Sequence, residues 1–190
     1  MKVYLVEGMD RVLPAMSEES SKNAEKYLKG FGVEVMLNTM VSDYNGNVAH
    51  YKMKDESSGS INTKSLVWAA GVKGSFTEGL HHEVFGKGQR IITDEYSRVK
   101  GSENIYTIGD LAMMQTEEFP EGHPQLAPVA MQQAEQLAEN FERQEKGKNL
   151  LKFRYNDKGN MATVGRNKAV VDLPNAHLKG YPAWLVWMLL

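Results

Sequence analysis

The sequence predicts an α/β fold built on a doubly wound sheet, and three observations carry that expectation. Val3 to Glu7 reads as a short buried strand, followed by a helical stretch and a second strand through Val33, Val35 and Leu37. Strand, helix, strand is the order that a parallel sheet requires. The run Asn104-Ile105-Tyr106-Thr107-Ile108 ends in Gly109-Asp110, and in such a sheet a carboxylate beyond the carboxyl end of a strand faces the ligand crevice. Leu126, Ala130, Ala134, Leu137 and Phe141 then recur at the spacing of one helical face.

Each element has its local reason. Ser17 suits a helix cap, with Glu18 and Glu19 placing negative charge where a helix amino end prefers it. Ala24, Tyr27, Leu28 and Phe31 share one helical face, and Gly30 and Gly32 stop the helix. Two further strands are expected at Asn47–Lys54 and Ile61–Ala69, set off by turns at Asn45-Gly46 and Ser57-Ser58-Gly59. Beyond Gly71 the chain crosses through glycine-rich connections to the strand ending at Gly109-Asp110. The helix after Gln125 closes near Lys146-Gly147-Lys148. Short strands follow at Lys152–Tyr155, Asn160–Val164 and Ala169–Leu173, with turns at Asp157-Lys158-Gly159 and Gly165-Arg166-Asn167.

At 190 residues, 42% hydrophobic and 24% charged, the chain has the composition of a globular protein with one core or two small ones. It has no cysteine, which excludes a disulfide framework, a thiolate metal site and a cysteine nucleophile within these residues. His81-His82 with Glu83 lacks a third ligand at workable spacing, so no metal site is expected. No secretory signal opens the chain. The net charge of −2 hides an asymmetry: residues 146–190 hold eight Lys and Arg against two Asp and Glu, while residues 1–145 hold 14 against 22. The basic end runs into Tyr181-Pro182-Ala183-Trp184-Leu185-Val186-Trp187-Met188-Leu189-Leu190. Basic residues beside tryptophans favour an anionic membrane surface over nucleic acid, and the apolar run is far short of the ~20 residues that span a bilayer.

The segments Val6-Glu7-Gly8 with Arg11-Val12-Leu13-Pro14, Trp68-Ala69-Ala70-Gly71-Val72, Asp94-Glu95-Tyr96, Ile108-Gly109-Asp110, Gln125–Ala134 and Met161–Asp172 stand together in an order that resembles the type II NADH:quinone oxidoreductases. The likeness covers nearly the whole chain. It implies part of a two-dinucleotide-binding-domain, Rossmann-like flavoprotein with a small carboxyl-terminal α+β extension. Residues 1–72 would be the carboxyl-terminal half of the NADH-binding domain, 73–148 the carboxyl-terminal part of the FAD-binding domain, and 149–190 a membrane-associating region. Neither glycine-rich phosphate loop is in the sequence, so truncation at both ends is expected.

The same resemblance implies the site residues. Glu7, at a strand end, would take the adenosine ribose hydroxyls of NAD, and its charge disfavours a 2′-phosphate, with Arg11 nearby as a competing charge. Ala70 and Gly71 would let the backbone approach the nicotinamide and flavin. Gly109 and Asp110 would hold the ribityl chain of FAD. Ala127, Pro128, Val129, Ala130, Met131 and Gln132 would bring a helix amino end to the flavin ring, favouring negative charge there. Gln132 and Gln133 would face quinone, although Pro128 replaces the first glutamine of the family's Ala-Gln-x-Ala-x-Gln pattern. Lys168 would add a positive charge near the flavin edge.

The cofactor carries such chemistry while protein supplies position and field, so no catalytic side chain is expected. The activity implied is transfer of a hydride from NADH to FAD and of electrons to a membrane quinone, by a protein peripheral on the inner, cytoplasmic face of the cell membrane. No nucleic-acid partner is expected, and a homodimer is left open. The alternatives are a ferredoxin or disulfide reductase of the same superfamily, or a non-catalytic interaction domain.

Overall fold

Strand β1 (Val3–Val6) pairs in parallel with β2 (Val33–Met36), Val3 opposite Val33 and Val6 opposite Met36. A parallel pair needs a crossover, and helix α1 (Glu18–Gly30) supplies it. Ser17 caps α1 by accepting from the Ser20 N–H at 3.2 Å, and Gly32 at φ +79° turns the chain out of it. Ala24 is fully buried against Val12, Met16 and Val170, with Tyr27 and Leu28 beside it. Phe31, expected on the same face, lies past the last helical turn and stays half exposed. A computed structural model describes residues 2–75 and 78–189 of the chain.

An antiparallel meander follows: β3 (Thr39–Tyr44), β4 (Val48–Met53) and β5 (Ser58–Asn62). Strand β3 has no counterpart among the expected strands, because a single left-handed residue, Asn38 (φ +50°), joins β2 to β3 with no Gly or Pro to mark the turn. Asn45-Gly46 forms the first turn as expected, Asn45 Oδ1 accepting from Asn47 and Val48 N–H. The second turn falls at Asp55-Glu56 instead of Ser57–Gly59, since Asp55 Oδ1 takes the Ser57 N–H at 3.0 Å and so leaves Ser58 and Gly59 free to pair. The expected strand Ile61–Ala69 ends at Asn62. Thr63 Oγ1 accepts from Ser65 N–H and donates to Ser65 O, a local turn that pulls the backbone off the ladder.

In the segment 69–157, β6 (Ile91–Thr93) and β7 (Ala112–Met114) pair in parallel, and helix α2 (Ala127–Glu145) follows. The expected strand into Gly109-Asp110 is extended chain with a single bridge, Arg98 to Tyr106; its hydrogen bonds go to the nearby hairpin arm, Val99 N–H to Ile105 O and Thr107 N–H to Ser97 O. Residues 109–111 form one 3₁₀ turn. The face that α2 buries is Val129, Gln133 and Asn140, not the apolar stripe Leu126–Phe141; Ala134 and Phe141 are exposed. Lys152–Tyr155 is likewise extended but not a strand: Phe153 N–H donates to the Glu95 carbonyl, and the flanking Leu151 and Asn156 main-chain groups bond side chains of α2.

The chain closes with β8 (Asn160–Gly165), β9 (Lys168–Leu173), β10 (Ala176–Lys179) and helix α3 (Gly180–Leu189), in sheet order β10-β9-β8. Ala169, Val170 and Val171 are all 0% exposed. Val170 packs toward Ala24 and Met16, while Ala169 and Val171 pack on Ala183 of α3, so β9 is covered on both faces. Residues 158–190 therefore form one compact unit with 1–68, and 69–157 form the other. These boundaries differ from the three expected segments because burial of β9 ties the basic end to α1.

Candidate cofactor site

The Gly109-Asp110 turn is held from below by α2. Gly109 sits at φ +69°, a backbone that glycine adopts without strain, and its N–H donates to Gln133 Oε1 at 2.7 Å. Gln133 is 1% exposed. A Cβ on Gly109 would stand 3.3 Å from the Ala130 Cβ, so the small residues at both positions set how closely turn and helix approach. Gln125 Nε2 donates to the Asp110 carbonyl at 3.0 Å. The Asp110 carboxylate itself is exposed and has no hydrogen bond among the described residues. It acts on Arg90, whose guanidinium donates to the carbonyls of Ala112 and His123. Burial pushes Arg90 down from its ordinary pKa, and the charge of Asp110 pulls it back up.

The two long helices differ at their amino ends. α1 has a serine cap and two acids in its first turn. α2 has Leu126 at the cap with no side-chain hydrogen bond, no acid in the first turn, and Pro128 within it, where a missing N–H costs nothing. Its positive end is uncompensated. An exposed carboxylate beside that end suits a ligand with hydroxyl donors next to an electron-rich or anionic group.

Not every residue of the expected run faces outward. Ala127 and Met131 are exposed and Ala130 faces Gly109, but Val129 is buried against Met114 and Phe153, so its side chain belongs to the core. Gln133 is turned inward onto Gly109 and presents no amide to a quinone. Gln132 is bidentate on the Asn156 main chain, Nε2 donating to the carbonyl at 3.0 Å and Oε1 accepting from the N–H at 2.9 Å. It is the first rung of a ladder that sequence reasoning missed. Gln136 and Asn140 donate to Leu151 O, Asn140 accepts from Leu151 N–H, and Arg143 donates to Asn149 O. The signal was present, since 132, 136, 140 and 143 share one helical face, but these residues are polar and the apolar stripe drew the expectation.

In the first unit, Glu7 follows β1 and is half buried, its Oε1 accepting from Met9 N–H at 2.9 Å. That bond fixes one oxygen and leaves the other for a ligand at the strand's carboxyl end. Arg11 donates through Nη2 to Pro14 O and Met16 O, which ties one edge of its guanidinium to the main chain. Lys168 lies 5.0 Å over the Tyr27 ring and 4.8 Å over Phe31, a cation–π site. Ala70 and Gly71 lie in the exposed crossover, Gly71 at φ +78°, between Trp68 (65% exposed) and Val72 (66%). A further cluster was not read from sequence. Burial alone would raise the Asp172 carboxyl, but hydrogen bonds from the Ser20 hydroxyl, Ser17 N–H, His177 and the Ser17 hydroxyl outweigh it and hold it at about 2.

The profile of the family described as pyridine nucleotide-disulphide oxidoreductase matches residues 1–134. The chain is 34% identical over its whole length to the type II NADH:quinone oxidoreductase NdhA of Mycobacterium tuberculosis and covers 41% of that protein. It is 32% identical to the type II NADH:quinone oxidoreductase of Staphylococcus aureus, over 90% of this chain and 42% of that one. The chain thus spans less than half the length of these relatives. Among solved structures, NDH2 of Plasmodium falciparum in complex with NADH superposes with a TM-score of 0.85 at 19% identity, over 99% of this chain and 54% of that one. The sulfide:quinone oxidoreductase of Aquifex aeolicus gives 0.75 at 12% identity, over 98% and 47%. These likenesses carry the mixed α/β fold.

Proposed function

The chain belongs to the pyridine nucleotide-disulphide oxidoreductase family, and on that premise we propose that it is part of an FAD-dependent enzyme that oxidises NADH and reduces a quinone. The observation that carries this reading is the Gly109-Asp110 turn braced by Gln133 against the uncapped start of α2. Asp110 would accept from a ribityl hydroxyl, and Ala127 with Ala130 would admit the ring to the helix end, whose field favours negative charge. Bound flavin would supply the redox chemistry, taking electrons from a nicotinamide and passing them on. Glu7 would hold the adenosine ribose of NADH. The Glu7 carboxylate would repel a 2′-phosphate, and one edge of the neighbouring Arg11 is held by two main-chain carbonyls, so NADH is preferred over NADPH.

The names of the relatives support NADH and quinone as the two substrates. The quinone-side role would fall to the exposed rim of α2 at Met131, beside Gln132, whose amide is bonded to Asn156, rather than to the inward-turned Gln133. Attachment to the inner face of a membrane through α3 is part of the same proposal. The deciding experiment is NADH oxidation by the complete protein loaded with FAD, with a soluble quinone as acceptor. Turnover with NADPH at the rate seen with NADH, or none with any quinone, rejects the reading.

A further inference from the structure

A buried polar atom without a partner costs about as much as a lost hydrogen bond, so such atoms mark places where an acceptor or donor is wanting. Among the described residues, the side-chain atoms in this state are both ring nitrogens of His123, Thr93 Oγ1 and Arg98 Nε. His123 is shut in by the rings of Phe119, Phe153 and Tyr155. Thr93 and Arg98, by contrast, both line one cleft of about 370 Å³, together with Asp94, Lys100, Gly101 and Ser102.

The cleft is built, not incidental. Asp94 N–H donates to Arg98 O and Lys100 N–H to Ile92 O, which laces the end of β6 to the returning arm. Thr93 is 6% exposed. The Arg98 guanidinium lies 6.0 Å from the Tyr106 ring centroid, and Lys100 has no ion pair among the described residues. The one acid in the lining, Asp94, has Oδ1 taken by the N–H groups of Tyr96 and Arg98, each at 2.9 Å. Two cations and a buried threonine therefore line the cleft with a single carboxylate partly spent on the backbone. Every group in want of a partner can donate, and the cations can only donate. The complementary ligand accepts in several directions and is negative, as a phosphate is and a two-oxygen carboxylate is less well.

We propose that this cleft is a phosphate-binding site, taking inorganic phosphate or the phosphate end of a small phosphomonoester. Arg98 and Lys100 supply the charge and Thr93 the hydroxyl donor. The site stands apart from the Gly109–α2 turn in sequence and does not depend on the flavin reading.

The test is a titration of the ¹⁵N-labelled 190-residue chain with sodium phosphate at constant ionic strength, repeated with glycerol phosphate and with sodium chloride alone. Saturable shifts at the amides of Thr93, Lys100, Gly101 and Ser102 are expected with phosphate and none with chloride. Arg98→Gln and Lys100→Gln should each raise the Kd about tenfold, and Thr93→Val, which keeps the shape, should raise it less. Tighter binding of glycerol phosphate at the same amides assigns the site to an esterified ligand; equal or weaker binding assigns it to the free ion. Shifts that do not saturate, or an unchanged Kd in Lys100→Gln, overturn the proposal, and that exposed position decides the matter even if Arg98→Gln disturbs the hairpin.

Discussion

Asp172 reaches across 155 residues of sequence to the start of α1, its Oδ2 accepting from Ser17 N–H at 2.6 Å and its Oδ1 from the Ser17 hydroxyl at 2.9 Å. The Ser20 hydroxyl and His177 Nδ1 complete the shell at 2.6 and 2.8 Å. A carboxylate from β9 therefore satisfies orphan donors of a helix that already has its own serine cap. This pins the carboxyl-terminal sheet to α1.

The pH dependence follows from that shell. The folded-state carboxyl is held at about 2, below its ordinary 3.8, so the unfolded chain binds the proton first and stability is lost as pH falls. The contribution is about 2 kcal/mol, complete above pH ~4 and lost by pH ~2. Urea unfolding between pH 6 and pH 2 should show this loss, and Asp172→Asn should flatten it. A variant with the same acid sensitivity as the parent chain would refute the assignment.

His123 works in the same direction at higher pH. Burial holds its pKa below the ordinary 6.5, with Arg90 adding to that and Glu118 opposing it. Protonation favours the unfolded chain, so this histidine's contribution weakens as pH falls below ~6.5. Both ring nitrogens lack partners, and a phenylalanine fits the same aromatic surroundings. His123→Phe should melt at or above the parent's Tm at pH 8, with a larger margin at pH 5.5. A margin that shrinks on acidification would contradict the buried neutral state.

Gln133→Ala should cost about 1–3 kcal/mol, because it strands the Gly109 N–H against the helix. Gln132→Ala removes two bonds to the more open Asn156 backbone and should cost less. Both are measurable by chemical denaturation. In the flavin-loaded parent enzyme only the Gln133 change should also release FAD, since it supports the turn that carries Asp110. Equal flavin loss from both would place the brace elsewhere.

How much of this was legible beforehand depends on which force set each element. α1 obeyed local rules, with Ser17, Glu18 and Glu19 marking its start and Gly32 its end, and the structure follows them closely. α2 did not, because its docking face is chosen by Gln132, Gln136, Asn140 and Arg143 reaching main-chain groups of 149–156. Nothing in apolar periodicity reports a polar face that binds backbone. Gly109-Asp110 stood out in sequence, but its supporting partner is Gln133, 24 residues later, which sequence reasoning assigned to the quinone. The Asp172 shell was invisible for the same reason, its partners being set by tertiary contact.

Asp110 and Glu7 should separate by cofactor in the complete enzyme. Asp110→Ala leaves a ribityl hydroxyl unpaired at a cost of about 1–3 kcal/mol, and flavin should be lost on dilution. Glu7→Ala should raise the KM for NADH with flavin content intact. Flavin absorbance per chain and steady-state kinetics read the two effects, and loss of both functions in either variant would break the assignment to separate cofactors.

α3 divides its tryptophans between two roles. Ala183 is fully buried and Trp184 packs with it on Ala169 and Val171, whereas Trp187 is 45%, Met188 53% and Leu189 81% exposed. Among the described residues no helix is long and apolar enough to cross a membrane. On the proposed membrane attachment, this exposed apolar edge and the basic segment before it would be drawn to anionic headgroups at about 1 kcal/mol per nearby Lys or Arg. Trp184→Ala should therefore lower stability, by about 3 kcal/mol or more for a buried tryptophan and less for one packed only in part. Trp187→Ala should leave the unfolding midpoint unchanged and weaken co-sedimentation with anionic liposomes, as added salt should. If Trp187→Ala destabilises the fold while vesicle binding holds, the exposed edge packs on protein and the membrane reading of α3 fails.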